Sequence, residues 1–117
     1  MKTALILEDE WNDIHLIHRV LRGVVLTCFV TDRKDYVHAL IENKFDIIIT
    51  DLNVHTFLDF ETVTLARTKQ PETPLIVLTG SISELDAKKS LLHGATFYIM
   101  KNGFRELKDK VKTILNV

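Results

Sequence analysis

A single cysteine, Cys28, rules out an internal disulfide. It lies inside the apolar run Val24 to Val30, where a small buried thiol is expected rather than a reactive one. Charge of one sign is also missing: 15 Lys and Arg against 16 Asp and Glu leave a formal net charge of -1, so there is no basic footprint of the kind that tracks nucleic acid. No apolar stretch approaches the roughly 20 residues that span a bilayer, so no membrane contact is expected. Met1-Lys2-Thr3 leads straight into an apolar run with no cleavage-site pattern, which argues against a signal peptide and for a cytoplasmic protein. The two prolines, Pro71 and Pro74, only bracket a turn. There is no linker, repeat or low-complexity tract, and 117 residues have room for one core, so residues 1–117 are expected to form one domain with no output domain.

What the chain does have is four short apolar runs that each end in a reactive polar residue. Leu5-Ile6-Leu7 runs into Glu8-Asp9, Ile47-Ile48-Ile49-Thr50 into Asp51, Leu75-Ile76-Val77-Leu78 into Thr79, and Phe97-Tyr98-Ile99-Met100 into Lys101. Continuous runs without alternation suit parallel strands buried on both faces. A further strand is predicted over Val24 to Val30. Helical periodicity fills the gaps: Ile14, Ile17 and Leu21 before a stop at Gly23; Val37, Leu40 and Ile41; Phe60, Val63 and Ala66 in a helix from Thr56 to Lys69; Leu85 and Leu92 before Gly94; and Phe104, Leu107, Val111 and Ile114 from about Gly103 to Asn116. Thr56 with Asp59, and Ser81 with Glu84, have capping-box spacing. Strict alternation predicts an α/β fold: a doubly wound, five-stranded parallel sheet with five helices on both faces, flavodoxin-like, in strand order 2-1-3-4-5.

In such sheets the site lies outside the carboxyl ends of the strands. Glu8, Asp9 and Asp51 would meet there, and bare carboxylates so placed repel one another strongly. They need a cation, and a small cluster of hard oxygen ligands suits Mg²⁺ better than zinc. A divalent ion beside Asp51 would draw in a phosphoryl group, with Lys101 and Thr79 offering a charge and a hydroxyl to its oxygens. Asp51 is the candidate acceptor, because a carboxylate can form an acyl phosphate.

With Glu8-Asp9, the strand-final Asp51, Leu78-Thr79-Gly80 and Lys101 in this order and spacing, the chain resembles a receiver domain of a two-component response regulator over essentially its whole length. The resemblance implies that a histidine kinase or histidine phosphotransfer protein donates phosphate to Asp51. It implies Mg²⁺ held by Asp9, Asp51 and the Asn53 carbonyl, with Glu8 near or acting through water. It implies a switch pair in Thr79 and Tyr98, control of an effector protein or fused domain, and no enzyme activity beyond self-phosphotransfer and slow autodephosphorylation. Lys88, Lys89 and Arg105 on the last two helices would then be where a partner reads the state. Three departures stand out: His55 and Asp59 where the family often has proline and glycine, Asn102 where proline follows the lysine, and Glu8 in place of an aspartate. A trans Lys101-Asn102 peptide is therefore expected, with Asn102 or Gly103 taking up the bend.

Plainer roles stand beside these. Glu8-Asp9 alone would complement a helix dipole, and Tyr98 could be a core aromatic. His15 and His18 have no further ligand and suit a solvated face, while His55 suits a loop surface. Trp11 could cover the crevice or pack. The alternative function is a pseudo-receiver, a phosphate-independent protein-interaction module. A haloacid-dehalogenase-like hydrolase is disfavoured because Asp51-Leu52-Asn53 lacks the second acid and is not on the first strand. A nucleotide or flavin binder is disfavoured because Glu8-Asp9-Glu10 stands where a phosphate cradle needs glycine.

Overall fold

Five apolar runs form the strands β1 (Thr3–Leu7), β2 (Leu26–Val30), β3 (Ile47–Thr50), β4 (Leu75–Thr79) and β5 (Phe97–Met100) of the computed structural model, which describes residues 1–80 and 84–117. Between them lie α1 (Trp11–Leu21), α2 (Arg33–Glu42), α3 (Glu61–Lys69) and α4 (Glu84–Leu92), and a 3₁₀ turn (Lys101–Gly103) leads into α5 (Phe104–Leu115). All pairings are parallel, and the strand order is β2-β1-β3-β4-β5, as the alternation predicts.

The period of two in a strand explains why the central runs are apolar throughout. Along β1, Leu5 and Leu7 enter one core with Tyr36 and Leu40 of α2 and Val63 and Ala66 of α3. Ala4 and Ile6 enter the other core with Ile17 and Leu21 of α1 and Leu107, Val111 and Leu115 of α5. α4 packs along β4 and β5. Because β1 and β3 lie side by side in the middle of the sheet, their carboxyl ends meet between the two helix layers.

Several sequence expectations are corrected. The β2 strand starts at Leu26, not Val24. Gly23 takes a φ of +79°, and the Val24 and Val25 N–H groups turn back to the Leu21 carbonyl at 3.0 and 3.3 Å, so these two valines close the helix. As an edge strand β2 is covered unevenly, and Cys28 is exposed rather than buried. Leu85, Leu92 and Ile41 point outward at 63%, 87% and 60% exposure, because α4 buries Ala87 and Ser90 and α2 buries Tyr36 and Ala39 along with Leu40. α3 begins at Glu61 rather than Thr56, and no capping box forms on Thr56. Ser81, the other proposed cap, lies outside the described residues. One expectation holds: no described peptide is cis, and Lys101-Asn102 is trans. Asn102 and Gly103 take up the bend, as expected, within the 3₁₀ turn and without a positive φ at Asn102.

Candidate functional site

The chain leaves β1 still bonded to its neighbour, the Glu8 N–H donating to the Val30 carbonyl at 3.1 Å. That continuation turns the Glu8 side chain inward, to 1% exposure. Its Oε2 accepts the Asp9 and Glu10 N–H groups at 3.0 and 3.1 Å, while Oε1 lies 2.7 Å from Lys101 Nζ. Burial pushes the Glu8 carboxyl above its ordinary range, against the opposing hydrogen bonds from Lys101 and the Glu10 N–H. Asp9 faces outward, and its Oδ2 accepts the His55 N–H at 3.0 Å. This bond ties the loop after β3 to the end of β1.

β3 delivers Asp51 in the same way. Its N–H donates to the Leu7 carbonyl at 3.2 Å, and the residue is 5% exposed. Oδ1 accepts the Asn53 N–H at 3.0 Å, and Oδ2 accepts from Lys101 Nζ at 2.7 Å. Lys101 leaves the end of β5 and reaches across β4 to get there. Gly80 leaves room for the stem, since a Cβ at that position would come within 3.0 Å of Lys101 Cδ. A third carboxylate, Asp13 in the first turn of α1, lies 2.6 Å from the same ammonium. Burial opposes the charge on Lys101, but its hydrogen bonds to Asp13, Asp51 and Glu8 outweigh it and hold the proton above the ordinary lysine range.

Thr79, at the end of β4, is fully buried, and its hydroxyl has no hydrogen-bond partner among the described residues. An orphaned buried hydroxyl beside an ionic cluster asks for an explanation. Tyr98 is half-buried against the α2–α3 core, and its hydroxyl meets Glu84 Oε1 at 3.4 Å rather than Thr79. The structure therefore brings Glu8, Asp51 and Lys101 into direct contact and forms no hydrogen bond between Thr79 and Tyr98.

Above the strand ends is a cleft of about 310 Å³ lined by Asp9, Glu10, Asp13, Asp51, Asn53, Gly80 and Lys101. Among the described residues no three carboxylate, imidazole or thiol groups are gathered closely enough to hold a metal ion as they stand. The Lys101 ammonium occupies the place between Glu8, Asp13 and Asp51 that a cation would take. The donors facing the cleft, Asp9, Asp51 and Asn53, are nonetheless the hard oxygen set that fits Mg²⁺. A larger hollow of about 440 Å³, between Leu40–Lys44 and Lys69–Thr73, lies at the opposite, amino-terminal end of β3 and β4, away from these residues.

Sequence reasoning missed Asp13. Its place in the first turn of the helix after Glu8-Asp9 puts it near the acidic pair, but its contact with Lys101, 88 residues away, leaves no local pattern. It also missed Glu10, whose side chain caps α1 by accepting the Asn12 N–H at 3.5 Å.

Comparison with known proteins gives a consistent picture. The family model described as the response regulator receiver domain matches residues 4–112. The regulatory protein VirG of Agrobacterium fabrum is 28% identical over 123 residues, an alignment that takes in 100% of this chain and 47% of VirG, so the chain spans about half the length of that curated relative. Among solved structures, a CheY-like receiver from Methanospirillum hungatei superposes with a TM-score of 0.88 at 23% identity, over 99% of this chain and 94% of that one. The receiver domain of a sensor histidine kinase from Pseudomonas aeruginosa, with magnesium coordinated in its active-site cleft, gives a TM-score of 0.84 at 21% identity over 99% and 98% of the two chains. These structural likenesses bear on the fold. No described helix is long and apolar enough to cross a membrane.

Proposed function

The chain belongs to the response regulator receiver domain family of two-component signalling, and on that premise we propose that Asp51 accepts a phosphoryl group from a histidine kinase or histidine phosphotransfer domain. The observation that carries this reading is the setting of Asp51: a nearly buried carboxylate at a central strand end, fixed on one oxygen by the Asn53 N–H and paired on the other with Lys101. In the reaction an Asp51 carboxylate oxygen attacks phosphorus, and the bond from phosphorus to the donor's imidazole nitrogen breaks, its electron pair staying with the imidazole. Lys101 meets the negative charge on the transferring group, and the buried Thr79 hydroxyl donates to a phosphoryl oxygen. Asp9, Asp51 and the Asn53 carbonyl would hold Mg²⁺, with Glu8 behind them. The ion, when bound, supplies charge neutralisation at the phosphoryl oxygens. A magnesium ion in the cleft of the Pseudomonas receiver supports that choice of metal.

Residues 1–117 act in this reading as one receiver unit, with no enzyme activity of its own beyond self-phosphotransfer and slow autodephosphorylation. Movement of Thr79 toward phosphate, and of Tyr98 inward from its contact with Glu84, would present a changed surface to an effector protein or fused domain. A cytoplasmic setting with no nucleic-acid or membrane contact by this unit is consistent with its charge balance. Incubation with acetyl phosphate and Mg²⁺, followed by intact mass, tests the reading. Addition of one phosphoryl group is expected in the parent, none in Asp51→Asn, and none when EDTA removes the metal. Undiminished uptake by Asp51→Asn would sink it, and no uptake by the parent would favour a phosphate-independent pseudo-receiver.

A further inference from the structure

The Lys101 ammonium has three N–H donors, and three carboxylates take them: Glu8 Oε1 at 2.7 Å, Asp51 Oδ2 at 2.7 Å and Asp13 Oδ2 at 2.6 Å. Two of these carboxylates are held whether or not the lysine is there. Glu8 is fixed by two backbone N–H groups and Asp51 by one. Asp13 is different. Among the described residues it accepts from Lys101 alone, and its side chain is the most exposed of the three, at 20% against 2% and 6%. It also comes from another kind of element, the first turn of α1, where the helix dipole favours a carboxylate.

We infer that Asp13 is a positioning residue that acts through Lys101, drawing the ammonium toward α1 and thereby restraining phosphoryl transfer at Asp51. This rests on the phosphoacceptor reading above. An ammonium with all three donors engaged can support a phosphoryl oxygen only by releasing a carboxylate. Asp51 is the group being modified, and Glu8 is buried and rigidly held, so Asp13 is the contact that must yield. Charge developing on the transferring group is stabilised by donors free to meet it, and Asp13 competes for that donor. Loss of its charge should leave Lys101 on Glu8 and Asp51 with one N–H available.

The test is the initial rate of phosphoryl uptake from acetyl phosphate at saturating Mg²⁺, read by intact mass. It compares the parent, Asp13→Asn, Lys101→Ala and the double variant, with thermal melts to establish that each is folded. Asp13→Asn is expected to react faster by roughly two- to tenfold, the scale of one partly exposed ion pair. In the Lys101→Ala background the same substitution is expected to give no gain, which a merely structural role of Asp13 would not produce. Asp13→Ser carries the same expectation and replaces the Asn variant if that one melts early. A rate unchanged or lowered in Asp13→Asn, or raised equally without Lys101, overturns the inference alone. No uptake by the parent overturns the phosphoacceptor reading, and this inference with it.

Discussion

Tyr36 illustrates how a single buried polar atom links packing to pH. It is fully buried in the α2–α3 core, and its hydroxyl donates to the Thr62 carbonyl at 2.6 Å, joining the two helices. Burial pushes its phenol well above the ordinary tyrosine range. A group whose folded pKa is raised contributes its stability fully below the unfolded value, near 10 for tyrosine, and loses it as pH rises through the folded one. Tyr36→Phe is therefore expected to lose about 1 kcal/mol at pH 7, the net value of one hydrogen bond. The gap to the parent should close as pH rises above about 10. Urea denaturation at pH 7 and pH 10.5 measures both, and a gap that widens at the higher pH would contradict the assignment. Tyr36 was not singled out in the sequence, because Val37, Leu40 and Ile41 fit a helical face equally well. The face that α2 buries holds Tyr36, Ala39 and Leu40 and leaves Ile41 outside. Asp13 escaped for a related reason: its partner Lys101 is 88 residues away, and no local pattern records the contact.

At the scale of elements, the loop after β3 departs most from the sequence expectation. A helix from Thr56 was predicted from its capping-box spacing and apolar period, yet Thr56 takes a φ of +76° and Phe60 one of +55°. Left-handed backbone at a β-branched and an aromatic residue is costly, and it arises where proline and glycine are absent. Other contacts hold the loop: the Asp9–His55 bond, the Leu58 N–H donating to Glu61 at 3.1 Å, the Arg33–Glu61 ion pair, and Phe60 stacked on His93 at 4.3 Å. Thr56→Gly is expected to stabilise the fold by about 1 kcal/mol, because glycine adopts a positive φ without a steric penalty. Equilibrium unfolding checks this, and a less stable variant would show that the threonine is not strained. The helix pattern could not reveal the loop, since periodicity records which residues face inward but not where a tertiary contact redirects the chain.

Across the whole molecule the topology was legible because parallel strands buried on both faces must be apolar throughout, and only the ends of such runs are free to carry chemistry. The convergence of Glu8, Asp51 and Lys101 follows from that order, whereas their distances follow from side-chain reach across β4. The Thr79–Tyr98 relation belongs to this scale too, since the buried Thr79 hydroxyl has no hydrogen-bond partner among the described residues while Tyr98 turns to Glu84 on α4. Thr79→Ala is expected to accept phosphate and yet lose the amide shifts around Tyr98 and α4 that a phosphoryl mimic produces in the parent. Equal shifts in both proteins would show that the hydroxyl does not couple the two sites.

The central claim is that Asp51 alone carries the phosphoryl group. Hydride reduction after phosphorylation tests it most directly, because an aspartyl phosphate is reduced to homoserine while a free carboxylate is not. After treatment with acetyl phosphate, Mg²⁺ and borohydride, peptide mass mapping is predicted to find homoserine at position 51 and at no other aspartate, with none formed in EDTA. Homoserine at Asp9 or Asp13, or its absence from position 51 in a protein that has taken up phosphate, would contradict the account.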